Sequence, residues 1–215
     1  MSANPVATTV RFTRRHMPHW LVADHTYFVT LRLAGTIPRG LLKSLEAERA
    51  ELADTCASED ARLDLLRKQF VRIEEILDAH NPDRYWLTQP PVAKVFFDAL
   101  PWLENSDRGW DIYAITLMGT HAHIVMRNVA GRSGELLGDL GQFKRHTARE
   151  SNRILGRSGA FWAREDFDHW CRTESKVIGA IRYTANNPVA AGLCSAWRDW
   201  QWTKIKCDWV EIAGL

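Results

Sequence analysis

Three stretches of the 215-residue chain alternate apolar and polar positions with a period of two. Tyr27-Phe-Val-Thr-Leu-Arg-Leu33 is rich in β-branched and aromatic residues and reads as a first strand, ended by Gly35, Pro38 and Gly40. Trp110–Met118 reads as a second strand and His121–Arg127 as a third, with Gly119 and Thr120 turning a hairpin between them. Between the first and second strands the period changes to that of a helix. Leu41, Leu42, Leu45 and Leu52 are followed by Leu63, Leu65, Leu66, Phe70, Ile73 and Leu77. A break near Thr55–Ser58 predicts two helices here, the second stopped by Asn81-Pro82. A short helix follows at Val92–Leu100, with Pro91 in its first turn.

The second half begins with a helix from about Glu135 to Leu155, ended by Gly156. On it Arg145, Arg149 and Arg153 recur every four residues as a basic stripe, with Lys144 beside it. Phe161-Trp162 and Phe167–Cys171 read as a strand pair or one bent strand. Thr173 caps a last major helix, which Pro188 is expected to stop at Asn186 or Asn187. An aromatic tail, Trp197–Trp209, folds back on the domain. Residues 1–20 carry Arg11, Arg14, Arg15, His16 and His19 with no acidic side chain, and read as an irregular lead-in. The order β-α-β-β-α-β-α, with extra helices in the first crossover, is that of a ferredoxin-like antiparallel sheet in the α/β (α+β) class. Its helices are expected on one face. We read residues 1–215 as a single domain with a helical insertion at about 41–101 and an aromatic tail at about 193–215.

Composition narrows the setting. Hydrophobic residues at 46% and charged ones at 25% are ordinary for a globular protein. No apolar run approaches the ~18 residues of a membrane span, and the N-terminus lacks a secretory layout. Four cysteines stand far apart with no C-x-x-C, so neither a zinc knuckle nor a disulfide framework is indicated, and a cytoplasmic location is expected. The net charge of +2 is uneven: residues 41–80 hold ten acidic against six basic side chains, a balance of −4 that leaves +6 elsewhere. A basic body with an acidic helical insert is compatible with a polyanion partner. Most of the ten tryptophans are expected to pack, with one or two free to stack on bases.

The candidate chemistry starts at Gly119-Thr-His-Ala-His-Ile-Val-Met126. His121 and His123 lie two apart on a strand, so both point to one face, roughly 6.5–7 Å apart along the backbone, and can reach one metal ion. Alone, such a pair more often sits solvated or hydrogen-bonded at a surface. A second stretch, Ile181-Arg-Tyr-Thr-Ala-Asn-Asn-Pro188, adds weight. On a helical wheel Val177, Ile178, Ile181, Thr184 and Ala185 fall within about 120° of arc, and Tyr183 lies nearly opposite. Gly179 and Asn187 flank it one turn away. A tyrosine hydroxyl, with a pKa near ~10, is a poor nucleophile until its anion is stabilised. A divalent metal on the histidines would polarise a phosphoryl oxygen. Together these suit attack on a phosphodiester, Tyr183 displacing a 3′-hydroxyl and forming a 5′-phosphotyrosine link. A carbonyl ligand such as Asn187 suits Mg²⁺ or Mn²⁺.

Phe28-Val-Thr-Leu-Arg-Leu, Met118-Gly-Thr-His-Ala-His-Ile, Gln142-Phe-Lys-Arg-His-Thr-Ala, Phe161-Trp, Phe167-Asp-His and Arg182-Tyr-Thr-Ala-Asn-Asn-Pro-Val-Ala-Ala-Gly-Leu193 follow in that order. In this the chain resembles the single-tyrosine HUH transposase superfamily, and within it the REP-associated tyrosine transposases, from roughly Arg15 to Trp202. The resemblance implies metal-dependent cleavage and joining of single-stranded DNA beside an imperfect hairpin, without ATP. It also implies metal ligands at His121 and His123, a nucleophile at Tyr183 and a third ligand at Asn187. Tyr183 is the only tyrosine after the histidine pair.

Two positions and one segment depart from that family's pattern. Ala122 is smaller than the usual branched residue, Thr120 stands where asparagine is common, and the segment from about Asp54 to His80 enlarges a helical region. Lys144, Arg145, Arg149 and Arg153 are expected on the phosphate backbone, and Arg11, Arg14 and Arg15 as a guide for the strand. The expected partner is single-stranded DNA with hairpin elements, bound by a monomer or homodimer, with no membrane. Two alternatives are a non-cleaving DNA-hairpin-binding regulatory protein and an RNA-binding domain on the same sandwich. The first would be marked by a lost histidine or tyrosine, and all three are present.

Overall fold

The computed structural model describes residues 9–14, 18–22, 24–55, 58–79, 85–105, 107–129 and 135–215, with backbone alone for 9–22 and 59. The first two strands, β1 (Thr9–Arg14) and β2 (Pro18–Val22), pair antiparallel as a hairpin. This replaces the irregular lead-in expected there. Val10 and Phe12 alternate with Arg11 and Thr13, a period-two signal hidden among arginines.

The remaining elements follow in chain order. They are β3 (Thr26–Arg32), α1 (Arg39–Asp54), α2 (Glu59–Asp78), α3 (Pro90–Glu104), β4 (Trp110–Leu117) and β5 (His121–Asn128). Then come α4 (Leu136–Ile154), β6 (Phe167–Cys171), α5 (Glu174–Ala190), β7 (Thr203–Ile205) and α6 (Cys207–Ala213). The five-stranded sheet runs β6-β3-β5-β4-β7, every pair antiparallel. The ferredoxin-like antiparallel sheet expected from the sequence is therefore present, and the aromatic tail adds β7 along β4. Of the two aromatic stretches before α5, Phe167–Cys171 forms β6, while Trp162 makes one bridge to Leu33.

The helices cover both faces of the sheet rather than one. Along β5, Ala122, Ile124 and Met126 pack under α3 and α4 with Tyr27, Val29, Leu31, Phe96 and Phe143. The alternate residues of the strand turn the other way, and Val125 meets Val177 and Ile181 of α5 and Ala213 of α6. A strand apolar on both sides needs cover on both. Each large side chain so buried contributes roughly 1.5–3 kcal/mol.

Two helix ends differ from expectation. α3 runs through Pro101 to Glu104. α5 continues through Pro188 to Ala190, and the chain turns out at Gly192, in the left-handed region at φ 71°. The Pro188 carbonyl still accepts from Leu193 N at 2.9 Å. Asn187 is thereby a residue inside the helix, 3% exposed, instead of a frayed end.

α1 and α2 are the two helices predicted either side of the break near Thr55–Ser58, with Ser58 capping α2 by accepting from Ala61 N. Buried Gln69 donates to the Leu45 carbonyl at 2.9 Å and to Glu48, fixing the register of α2 on α1. α2 comes to the α5 side of the sheet, where Phe70 meets Phe28 of β3 and Tyr183 of α5. No helix among the described residues is long and apolar enough to cross a membrane.

Candidate active site

His121 and His123 leave β5 on the α5 side, and both side chains are fully buried. Their rings lie 4.8 Å apart, edge to face. Each Nδ1 meets a threonine hydroxyl: His121 that of Thr120 at 3.1 Å, His123 that of Thr30 at 3.0 Å across β3. The Thr120 hydroxyl donates its proton to the Leu77 carbonyl of α2. It must therefore accept from His121, which puts the ring proton on Nδ1 and leaves the Nε2 lone pair facing the site. A ligating histidine is commonly held this way, with its outer nitrogen bonded to a neighbour. Thr120 thus ties the turn to α2. Gly119 lets Tyr85 lie flat against the same turn, where any Cβ would collide with its ring.

The third member of the cluster is Glu74 of α2, 6% exposed. Its ligand oxygen and the two imidazole nitrogens lie within 4.8 Å of one another. Oε2 faces His123 Nε2 at 3.1 Å and accepts from the Tyr183 hydroxyl at 2.6 Å. Asn187 donates to the same hydroxyl at 3.3 Å. The Tyr183 ring is boxed by His123, Phe28 and Phe70 at 5.4–5.8 Å between centroids. The structure thus brings together His121, His123, Tyr183 and Asn187, the four residues singled out in the sequence, and adds a carboxylate.

Glu74 was missed, although its position carried a signal. It stands four residues after Phe70 and three before Leu77, on the apolar stripe of α2. A carboxylate on such a stripe is bound to be buried and in need of partners.

Electrostatics fit a ligand set. Burial alone would push Glu74 up, but His123, His121 and the Tyr183 hydroxyl outweigh it and hold the carboxyl near 2. Burial, reinforced by His123, pushes His121 down to about 3, so its ring is neutral at ordinary pH. Burial, then the Glu74 charge, raises Tyr183 far above the usual phenol value. Glu74 Oε1, Asn187 Oδ1 and His121 Nε2 are buried with no hydrogen-bond partner. Three such atoms at one place are costly unless something binds them. Two imidazoles and a carboxylate can hold a divalent cation.

The residues expected on DNA are more dispersed. Arg145, Arg149 and Arg153 are exposed along α4, the latter two paired with Glu150. Lys144, expected beside that stripe on the phosphate backbone, turns inward instead, bonded to Asp166 at 2.6 Å and to the Ala163 carbonyl. Arg11 and Arg14 lie on β1, where only the backbone is described, and Arg15 lies outside the described residues.

No family model and no curated protein matches the sequence. Among solved structures, a REP-associated tyrosine transposase bound to a REP hairpin superposes with a TM-score of 0.53 at 14% identity, over 90% of this chain and 81% of that one. At that identity the likeness is one of fold.

Proposed function

We propose that the protein is a metal-dependent single-strand DNA endonuclease and strand transferase that acts next to DNA hairpins through a covalent tyrosine intermediate. The observation that carries this reading is the meeting of Tyr183 with His121, His123 and Glu74 in one buried cluster, where His121 Nε2 and Glu74 Oε1 lack hydrogen bonds. The transposase whose fold the chain shares was solved with a REP hairpin, which supports DNA of that kind as the partner.

His121, His123 and Glu74 would hold Mg²⁺ or Mn²⁺, with the Asn187 amide oxygen close by on α5, and the cation would polarise the scissile phosphate. Glu74 Oε2 accepts from the Tyr183 hydroxyl and so orients it beside the cation's ligands, and the phenolic proton passes to water as Tyr183 attacks. The freed oxygen attacks phosphorus, the P–O3′ bond breaks, and the departing 3′-oxygen takes a proton from water. The 5′-phosphate stays on the tyrosine until a 3′-hydroxyl reverses the step, so neither cleavage nor joining needs ATP. Asn187, donating to the same hydroxyl, keeps the phenol aimed while its proton leaves.

A second reading, a hairpin-binding regulator that does not cut, draws on one feature. Burial, then the Glu74 charge, pushes the Tyr183 phenol up and favours its protonated form. The test is incubation of wild type and Tyr183→Phe with hairpin oligonucleotides and Mn²⁺. A covalent adduct and cut strand that disappear in Tyr183→Phe and with chelator support the transferase. Tight hairpin binding without an adduct in either protein supports the regulator.

A further inference from the structure

Beside Tyr183 lies a cavity of about 290 Å³ that the chemistry above leaves unused. Three rings from three elements line it: Phe28 of β3, Phe70 of α2 and Phe167 of β6. Phe70 and Phe167 lie 4.6 Å apart at 34°, and Phe28 stacks on His123 at 5.3 Å. The cavity is therefore one ring removed from both the nucleophile and the histidine pair. Val71, 54% exposed, carries its apolar wall to the surface.

The mouth carries cations. Arg67 of α2 and Lys176 of α5 line it, and neither has an ion pair among the described residues. Burial first, and after it the charges of Arg172, Lys176 and Arg67, holds His169 at the rim below its ordinary value. Asp168 lines the same wall and offers an acceptor. Arg67 stands out because the helical pair around it carries a net −4.

We infer that this cavity binds the base of one unpaired nucleotide of the substrate strand, next to the phosphate attacked by Tyr183, with Arg67 and Lys176 on the adjoining phosphates. Aromatic rings facing a slot and cations at its entrance are the combination that holds single-stranded nucleic acid. The volume lies at the lower end of small-ligand pockets, suited to one planar base. The strand must also come within a nucleotide of Tyr183, so a base there has a slot within reach. Because α2 supplies Leu66, Arg67 and Phe70, the helical enlargement delivers both Glu74 and the base site.

The inference rests on the transferase reading, and the test separates the two. Full-length Tyr183→Phe is titrated by fluorescence anisotropy with a hairpin oligonucleotide whose single-stranded flank carries an abasic residue at each position in turn. One abasic position is expected to weaken binding on the order of tenfold, the range of one stacked base. Leu66→Trp, which fills the cavity, should weaken binding of the intact strand similarly and erase the abasic penalty, since the two changes remove one contact. Arg67→Ala, an exposed change that spares the fold, should lower the salt slope by about one unit. If the wild-type chain forms its tyrosine adduct but the abasic scan is flat, or its penalty survives Leu66→Trp, the base site is overturned and the transferase stands. Loss of both adduct and hairpin binding overturns the two together.

Discussion

Glu74 is the residue on which the site turns, because it answers to both the histidines and Tyr183. Glu74→Gln keeps the shape and removes the charge. Metal affinity measured by calorimetry should fall ten- to a hundredfold, and the Tyr183 phenol, relieved of its anionic neighbour, should titrate at lower pH by ultraviolet absorbance. An unchanged Tyr183 titration would mean that the Oε2 contact does not form in solution. His121 gives a prediction with a definite sign. Its folded value of about 3 lies below the ordinary 6.5, so between these the unfolded chain binds more protons and stability falls as pH drops. Thermal melts of metal-free protein should fall more steeply from pH 6.5 to pH 5 in wild type than in His121→Asn. Parallel pH slopes would contradict a neutral buried imidazole.

At the scale of elements, α2 is held to the β4–β5 turn by the Thr120 hydroxyl bond to Leu77. Thr120→Val leaves the Leu77 carbonyl and the His121 Nδ1 proton without partners. It should cost about 1–3 kcal/mol in denaturant unfolding and about ten- to a hundredfold in metal affinity. A loss of stability with unchanged metal binding would assign Thr120 to the fold alone. Elements with strong periods were legible in the sequence: β3, β4, β5, the α1–α2 break and the Thr173 cap all stand where the residues indicated. His121, His123, Tyr183 and Asn187 were legible as site candidates because strand and helix periods fix which side chains share a face. Glu74 was not, because no period links α2 to β5 and only the tertiary fold brings them together. The stop at Gly192 was missed for a local reason: proline near a helix end loses a single hydrogen bond and can be carried by the turn that follows.

For the whole molecule, the sheet buries apolar residues on both faces and devotes one stretch of the α5 side to polar side chains. α2, from the first crossover, covers that stretch with Glu74 and Phe70. Arg145, Arg149 and Arg153 are exposed on α4, and an Arg145→Ala, Arg149→Ala, Arg153→Ala variant should bind hairpin DNA with a shallower salt dependence at unchanged sequence preference. An unaltered salt slope would remove α4 from the interface.

The most direct measurement is peptide mapping, by mass spectrometry, of protein incubated with a hairpin-bearing single strand and Mn²⁺. The account requires a DNA fragment joined through its 5′-phosphate to Tyr183, with a free 3′-hydroxyl on the released strand and no adduct in Glu74→Ala or His123→Ala. An adduct on another residue, or cleavage that leaves the protein unmodified, would contradict it.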